Sequence, residues 1–88
     1  MSYDLGRANL NWILEGFNHN PRFRFDTYRL KEQEDRRAVK LIIWRGNELI
    51  EPIKITAEQL VESTKSDAGY LELELFVEKQ LRERLQAS

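Results

Sequence analysis

Ala38-Val39-Lys40-Leu41-Ile42-Ile43-Trp44, the turn Arg45-Gly46-Asn47-Glu48 and the return Leu49 to Ile55 decide the fold. The first seven residues are the densest β-forming run in the chain, rich in branched and aromatic side chains that pack on a pleated surface. Gly46-Asn47 suits a two-residue turn of the primed kind, where glycine takes a positive φ at no steric cost. Pro52 interrupts the returning strand and cannot donate to a ladder, which places that strand at a sheet edge. Thr56-Ala57-Glu58-Gln59 follows with the spacing of a capping box, so a helix opens there. Residues 37–63 therefore read as strand, tight turn, strand and capped helix.

Working outward toward the N-terminus, Arg22-Phe23-Arg24-Phe25-Asp26-Thr27-Tyr28-Arg29-Leu30 alternates as a half-buried strand does. The alternation slips after Thr27, and a bulge there would reconcile its two halves. Lys31 to Arg36 is polar throughout and reads as an exposed connection. The result is a three-stranded antiparallel meander with residues 37–45 in the middle. Residues 4–15 predict a helix capped by Asp4, with an apolar stripe of Leu5, Ala8 and Trp12 flanked by Ile13 and Leu14. Gly16 is expected to end it, with Phe17 folding back on the last turn.

Toward the C-terminus, Ser63-Thr64-Lys65-Ser66 is poor helix material and keeps the capped helix short. Asp67 can cap a longer helix reaching Leu85. Leu71-Glu72-Leu73-Glu74-Leu75 alternates like a strand, but Leu73, Val77, Leu81 and Leu85 recur every four residues within strong helix formers. The longer pattern decides for a helix. The expected fold is α+β, in the order α-β-β-β-α-α, with a three-stranded antiparallel meander packed against helices on one face. At 88 residues the chain is expected to form a single small domain.

The layout of residues 4–63 resembles that of the double-stranded-RNA-binding domain, including Leu10-Asn11 in the first helix and the turn at Gly46-Asn47. The resemblance implies topology alone. The lysine cluster that opens that family's second helix is replaced here by Thr56-Ala57-Glu58-Gln59-Leu60-Val61-Glu62. Its loop histidine is replaced by Lys31-Glu32-Gln33-Glu34-Asp35-Arg36.

Composition narrows the function classes. There is no cysteine and a single histidine, His19, so zinc and other N/S-ligated metals lack a ligand set. Glu32, Glu34 and Asp35 lack the glycine and spacing of a calcium loop. The hydroxyls at Ser2, Ser63, Thr64 and Ser66 have no glycine elbow beside them, and Gly6, Gly16, Gly46 and Gly69 are too scattered for a phosphate cradle. A non-catalytic protein without cofactors or metals is expected. Met1 to Arg7 has no apolar core of a leader, and no run is long enough for a membrane span, so a cytoplasmic location is expected.

Charge is unevenly spread. His19 to Arg45 holds eight Lys/Arg against four Asp/Glu, whereas Gly46 to Ser88 holds five against nine. Strand parity sets Phe23, Phe25, Val39, Leu41, Ile43, Leu49, Ile53 and Ile55 on a core face. The opposite parity carries Arg22, Arg24, Tyr28, Lys40, Ile42, Trp44, Ile50 and Lys54. Tyr, Trp and Arg are the usual anchors of interfaces, and cations interleaved with rings also suit phosphates and bases. The last helix has an apolar arc wider than one sheet contact needs, with Phe76 on its flank, which suggests a shared or self-associating surface. The first expectation is a small binding or regulatory module acting through a protein interface, with a partner protein or as a homodimer, using Arg22, Arg24, Tyr28, Lys40, Trp44, Lys54 and Phe76. The alternative is a nucleic-acid-binding domain using the basic, aromatic sheet face.

Overall fold

The structure, a computed structural model, describes residues 2–20, 23, 25–32 and 37–86. The elements run α1 (Ser2–Asn18), β1 (Thr27–Glu32), β2 (Ala38–Arg45), β3 (Glu48–Thr56), α2 (Ala57–Glu62) and α3 (Asp67–Gln86). The sheet is antiparallel with the order β1-β2-β3, so the apolar run of β2 lies in the middle. Gly46 turns the β2–β3 hairpin at φ +65°. Its amide donates to the Asp26 carboxylate, and the Asp26 amide donates to the Trp44 carbonyl at 2.9 Å, which ties the turn to the start of β1.

One core joins the helices to one face of the sheet. Val39, Leu41, Ile43, Ile53 and Ile55 pack with Leu10 and Leu14 of α1, Leu60 of α2, and Leu73, Val77 and Leu81 of α3. The stripe expected on α3 is the stripe that is buried. The capping box also forms as expected: the Gln59 amide donates to Thr56 Oγ1 at 3.1 Å and the Thr56 amide to Gln59 Oε1 at 2.9 Å. No helix among the described residues is long and apolar enough to cross a membrane.

Three expectations are corrected. First, β1 begins at Thr27, and Phe23 and Phe25 enter the core from the segment ahead of it. Phe23 is held there by a turn, its amide donating to the Asn20 carbonyl at 3.0 Å and its ring meeting Phe17 edge-on at 5.1 Å. β1 pairs with β2 without interruption, so there is no bulge at Thr27. Second, the irregularity lies between β2 and β3. Leu41 faces Ile53 and Ile43 faces Ile50, so Glu51 and Pro52 share the place opposite Ile42. One extra residue inverts the parity of everything before it. Ile50 is therefore buried and Leu49 is 57 % exposed, the reverse of the expectation. Proline tolerates both an edge and a bulge, and Pro52 occupies both. The Glu51 carbonyl accepts from Arg84 Nε of α3 at 3.0 Å, which steadies the bulge.

Third, α1 runs through Gly16 to Asn18, and it buries a different face from the one expected. Gly6, Leu10, Ile13 and Leu14 face inward, with Tyr3 and Phe17 half-buried beside the core. Leu5 and Trp12 point outward, the latter 73 % exposed.

Candidate binding surface on the open sheet face

Pairing across the sheet fixes which side chains share a face. Residues directly opposite each other in antiparallel strands lie on the same side, and successive residues alternate. Tyr28 faces Ile43 and Leu30 faces Leu41, so both belong to the core side. The open side presents Thr27, Arg29 and Lys31 on β1 and Lys40, Ile42 and Trp44 on β2. From β3 it takes Leu49 and Lys54, which face Trp44 and Lys40. Ile42 and Trp44 are half-buried, yet neither belongs to the core cluster or packs against it.

The open side has a graded layout. At one end Lys31 faces Lys40, and Lys40 faces Lys54, so three exposed lysines stand abreast on three strands. With strands about 4.8 Å apart, the three stems leave the sheet within about 10 Å of one another. At the other end Thr27, Trp44 and Leu49 stand abreast. Arg29 and Ile42 lie between the two ends, with the exposed bulge residues Glu51 and Pro52 opposite Ile42. Like charges placed directly opposite destabilise a sheet, so this row works against the fold that carries it. Among the described residues, none of Arg29, Lys31, Lys40 and Lys54 has an ion-pair partner.

Charges on the core side are handled differently. Glu32, next along β1 from Lys31, pairs with Arg7 of α1 at 2.5 Å. Arg45 donates to the Leu85 carbonyl of α3 at 3.4 Å. Arg7 and Arg45 thus find their partners where helices meet the sheet.

The residues expected to meet a partner, on the sheet face and at Phe76 of the last helix, are distributed as follows. Lys40, Trp44 and Lys54 share the open side. Arg22 and Arg24 lie outside the described residues. Tyr28 is corrected to the core side, where its ring meets Phe25 edge-on at 5.9 Å and its hydroxyl donates to Glu15 Oε1 at 3.1 Å. Burial, then the hydrogen bond and the charge of Glu15, raise the Tyr28 pKa above its ordinary value. What the neutral hydroxyl contributes is complete below the ordinary tyrosine pKa and is lost as pH rises toward the raised one. Phe76 is half-buried on α3 and packs against the core, so it does not join the open side. Arg29, Lys31 and Leu49 were missed. The signal for the first two is their alternation with Tyr28 and Leu30, which Phe23 and Phe25 masked by suggesting the opposite parity.

A second exposed set lies on the helices. Leu5 and Trp12 on α1 and Leu71 and Leu75 on α3 are each more than half exposed. Trp12 lines a cleft of about 250 Å³ with Phe17, Tyr70 and Glu74, at the seam of the two helices. The chain matches no protein-family model, and comparison with curated proteins and with solved structures found no match.

Proposed function

We propose that this protein is a small, non-catalytic binding module whose contact surface is the open side of its sheet, and that its partner is anionic. The observation that supports the reading is the abreast placement of Lys31, Lys40 and Lys54 beside Ile42 and Trp44. Each like-charge pair costs on the order of a few tenths of a kcal/mol. An anionic partner converts that cost into attraction, because it neutralises three ammonium groups at once.

The test is retention on immobilised heparin, a generic polyanion. Lys31→Gln, Lys40→Gln and Lys54→Gln together are expected to move elution to clearly lower salt. Lys65→Gln, Lys79→Gln and Arg82→Gln together, which remove three cations from the helical side, are expected to change it little. Equal elution of the two triple variants would set the reading aside.

A second reading has its own support: contact with a protein, or with a second copy, through the helical side. Four exposed large apolar side chains there are more than scattered surface residues need explain. Sedimentation is expected to give a mass above the 10.5 kDa of one chain, falling toward it in Trp12→Ser/Leu75→Ser. A wild-type mass of one chain at high concentration excludes self-association.

A further inference from the structure

We infer that the open sheet side binds single-stranded nucleic acid, its phosphates lying along Lys54, Lys40, Lys31 and Arg29 and a base stacking on Trp44. The inference rests on the proposed use of this side for an anionic partner and names that partner.

The side-chain chemistry separates the candidate anions. Lysine is depleted from protein–protein contact surfaces, where arginine and aromatic residues are favoured. The planar fork of arginine holds carboxylate and phosphate alike, whereas lysine acts as a point charge that meets phosphate oxygens in any orientation. Three of the four cations here are lysines, each on a different strand. No carboxylate sits directly opposite any of them in the sheet pairing, so a phosphate chain laid along the row Lys31, Lys40 and Lys54 meets cations; Glu51, exposed in the bulge opposite Ile42, stands outside that row.

The far end of the surface supplies what a phosphate row lacks. Trp44 lies four residues along β2 from Lys40, about 13 Å away, with Arg29 on the neighbouring strand between them. An indole beside a line of cations is a stacking platform, and stacking tolerates any base because every base has a π-face. Leu49 opposite Trp44 extends the apolar floor. A duplex keeps its bases inside the stack and admits a helix or a two-stranded ribbon into its major groove. This surface is a three-stranded sheet, so it favours a strand whose bases are free. The start of α2, Thr56-Ala57-Glu58, holds a carboxylate in its first turn, so phosphate contact is assigned to the sheet and not to that helix.

The experiment uses the full chain carrying Trp12→Phe, so that Trp44 is the only indole. A dye-labelled oligothymidylate of about a dozen nucleotides is titrated while its anisotropy and Trp44 emission are followed. Quenching of Trp44 is expected, with affinity falling about 20- to 50-fold between about 50 and 200 mM salt, as three to four phosphate contacts require. Lys31→Gln/Lys40→Gln/Lys54→Gln, which relieves repulsion and so should fold, is expected to flatten that salt dependence. Trp44→Ala is expected to weaken binding about 5- to 150-fold by anisotropy.

Absence of binding at about 50 mM salt overturns the inference, as does binding that ignores both the lysine and the Trp44 substitutions. A duplex of the same length bound equally well, without quenching, overturns the single-strand assignment. Poly-glutamate binding where the oligonucleotide does not would assign the surface to an acidic protein. Heparin retention that depends on the lysine row, without oligonucleotide binding, sinks this inference and leaves the proposed function standing. Loss of both removes both.

Discussion

Ile50→Lys is expected to cost the protein about 4 kcal/mol or more of stability, and Leu49→Lys to leave its stability within about 0.5 kcal/mol of wild type. The two positions are adjacent and hold isomeric side chains that differ only in where a methyl branches, so only the register of β3 separates them. Ile50 is 4 % exposed and faces Ile43 in the core, while Leu49 is 57 % exposed and faces Trp44 on the open side. Lysine at 50 would lose the burial of a large aliphatic side chain, about 1.5–3 kcal/mol, and would also need its ammonium desolvated or neutralised. The combined loss, on the order of 4 kcal/mol or more, is comparable to the roughly 5–13 kcal/mol that holds together a chain of this length. Lysine at 49 keeps its head in water and rests its stem on Trp44. Urea midpoints measured by circular dichroism decide it. Equal losses at the two positions, or the larger loss at Leu49, would mean that β3 has no bulge at Glu51 and Pro52.

That pair also shows where the sequence is legible and where it is not. The hairpin, the capping box and α3 could be read because each is specified locally: a glycine at the turn, a threonine three residues before a glutamine, a leucine or valine every fourth position. Parity in β3 is not local. Pro52 announces a departure from regular pairing, but whether the chain absorbs it at an edge or by an extra residue depends on how Ile53 and Ile50 both reach the helices. Parity in β1 failed for a related reason. Phe23 and Phe25 have strand spacing and strand composition, yet they reach the core from ahead of the strand, so counting from them put Tyr28 on the wrong side and hid Arg29 and Lys31. The candidate surface was thus half legible: its central strand could be read from the hairpin, and its flanking strands needed the register.

In α1 the deciding residue is the smallest. Leu10, Ile13, Leu14 and Phe17 have helical spacing in the sequence, and so do Leu5, Ala8 and Trp12, the stripe expected to be buried. Gly6 reverses that choice. It is buried where α1 crosses α2, and a methyl group built on it would overlap the Leu60 carbonyl and side chain. The crossing is fixed nearby by Asn9 Nδ2, which donates to Ser63 Oγ at 3.2 Å, while the Ser63 hydroxyl is itself held at the end of α2 by donating to the Leu60 carbonyl at 2.6 Å. The overlap is with backbone, so it is relieved only by moving a helix. Gly6→Ala is therefore expected to destabilise by about 1–3 kcal/mol or more from overpacking, despite a helix-propensity gain of roughly 1 kcal/mol. Gly16→Ala is the matched control. Its position is also helical, a methyl there meets nothing within 4 Å, and only the propensity gain remains, so stability rises by about 0.5–1 kcal/mol. The same chemical change in the same helix thus has opposite signs, read as a lower and a higher urea midpoint. A Gly6→Ala midpoint at or above wild type would mean that α1 and α2 do not approach this closely, and α1 would then be free to turn Leu5 and Trp12 toward the core.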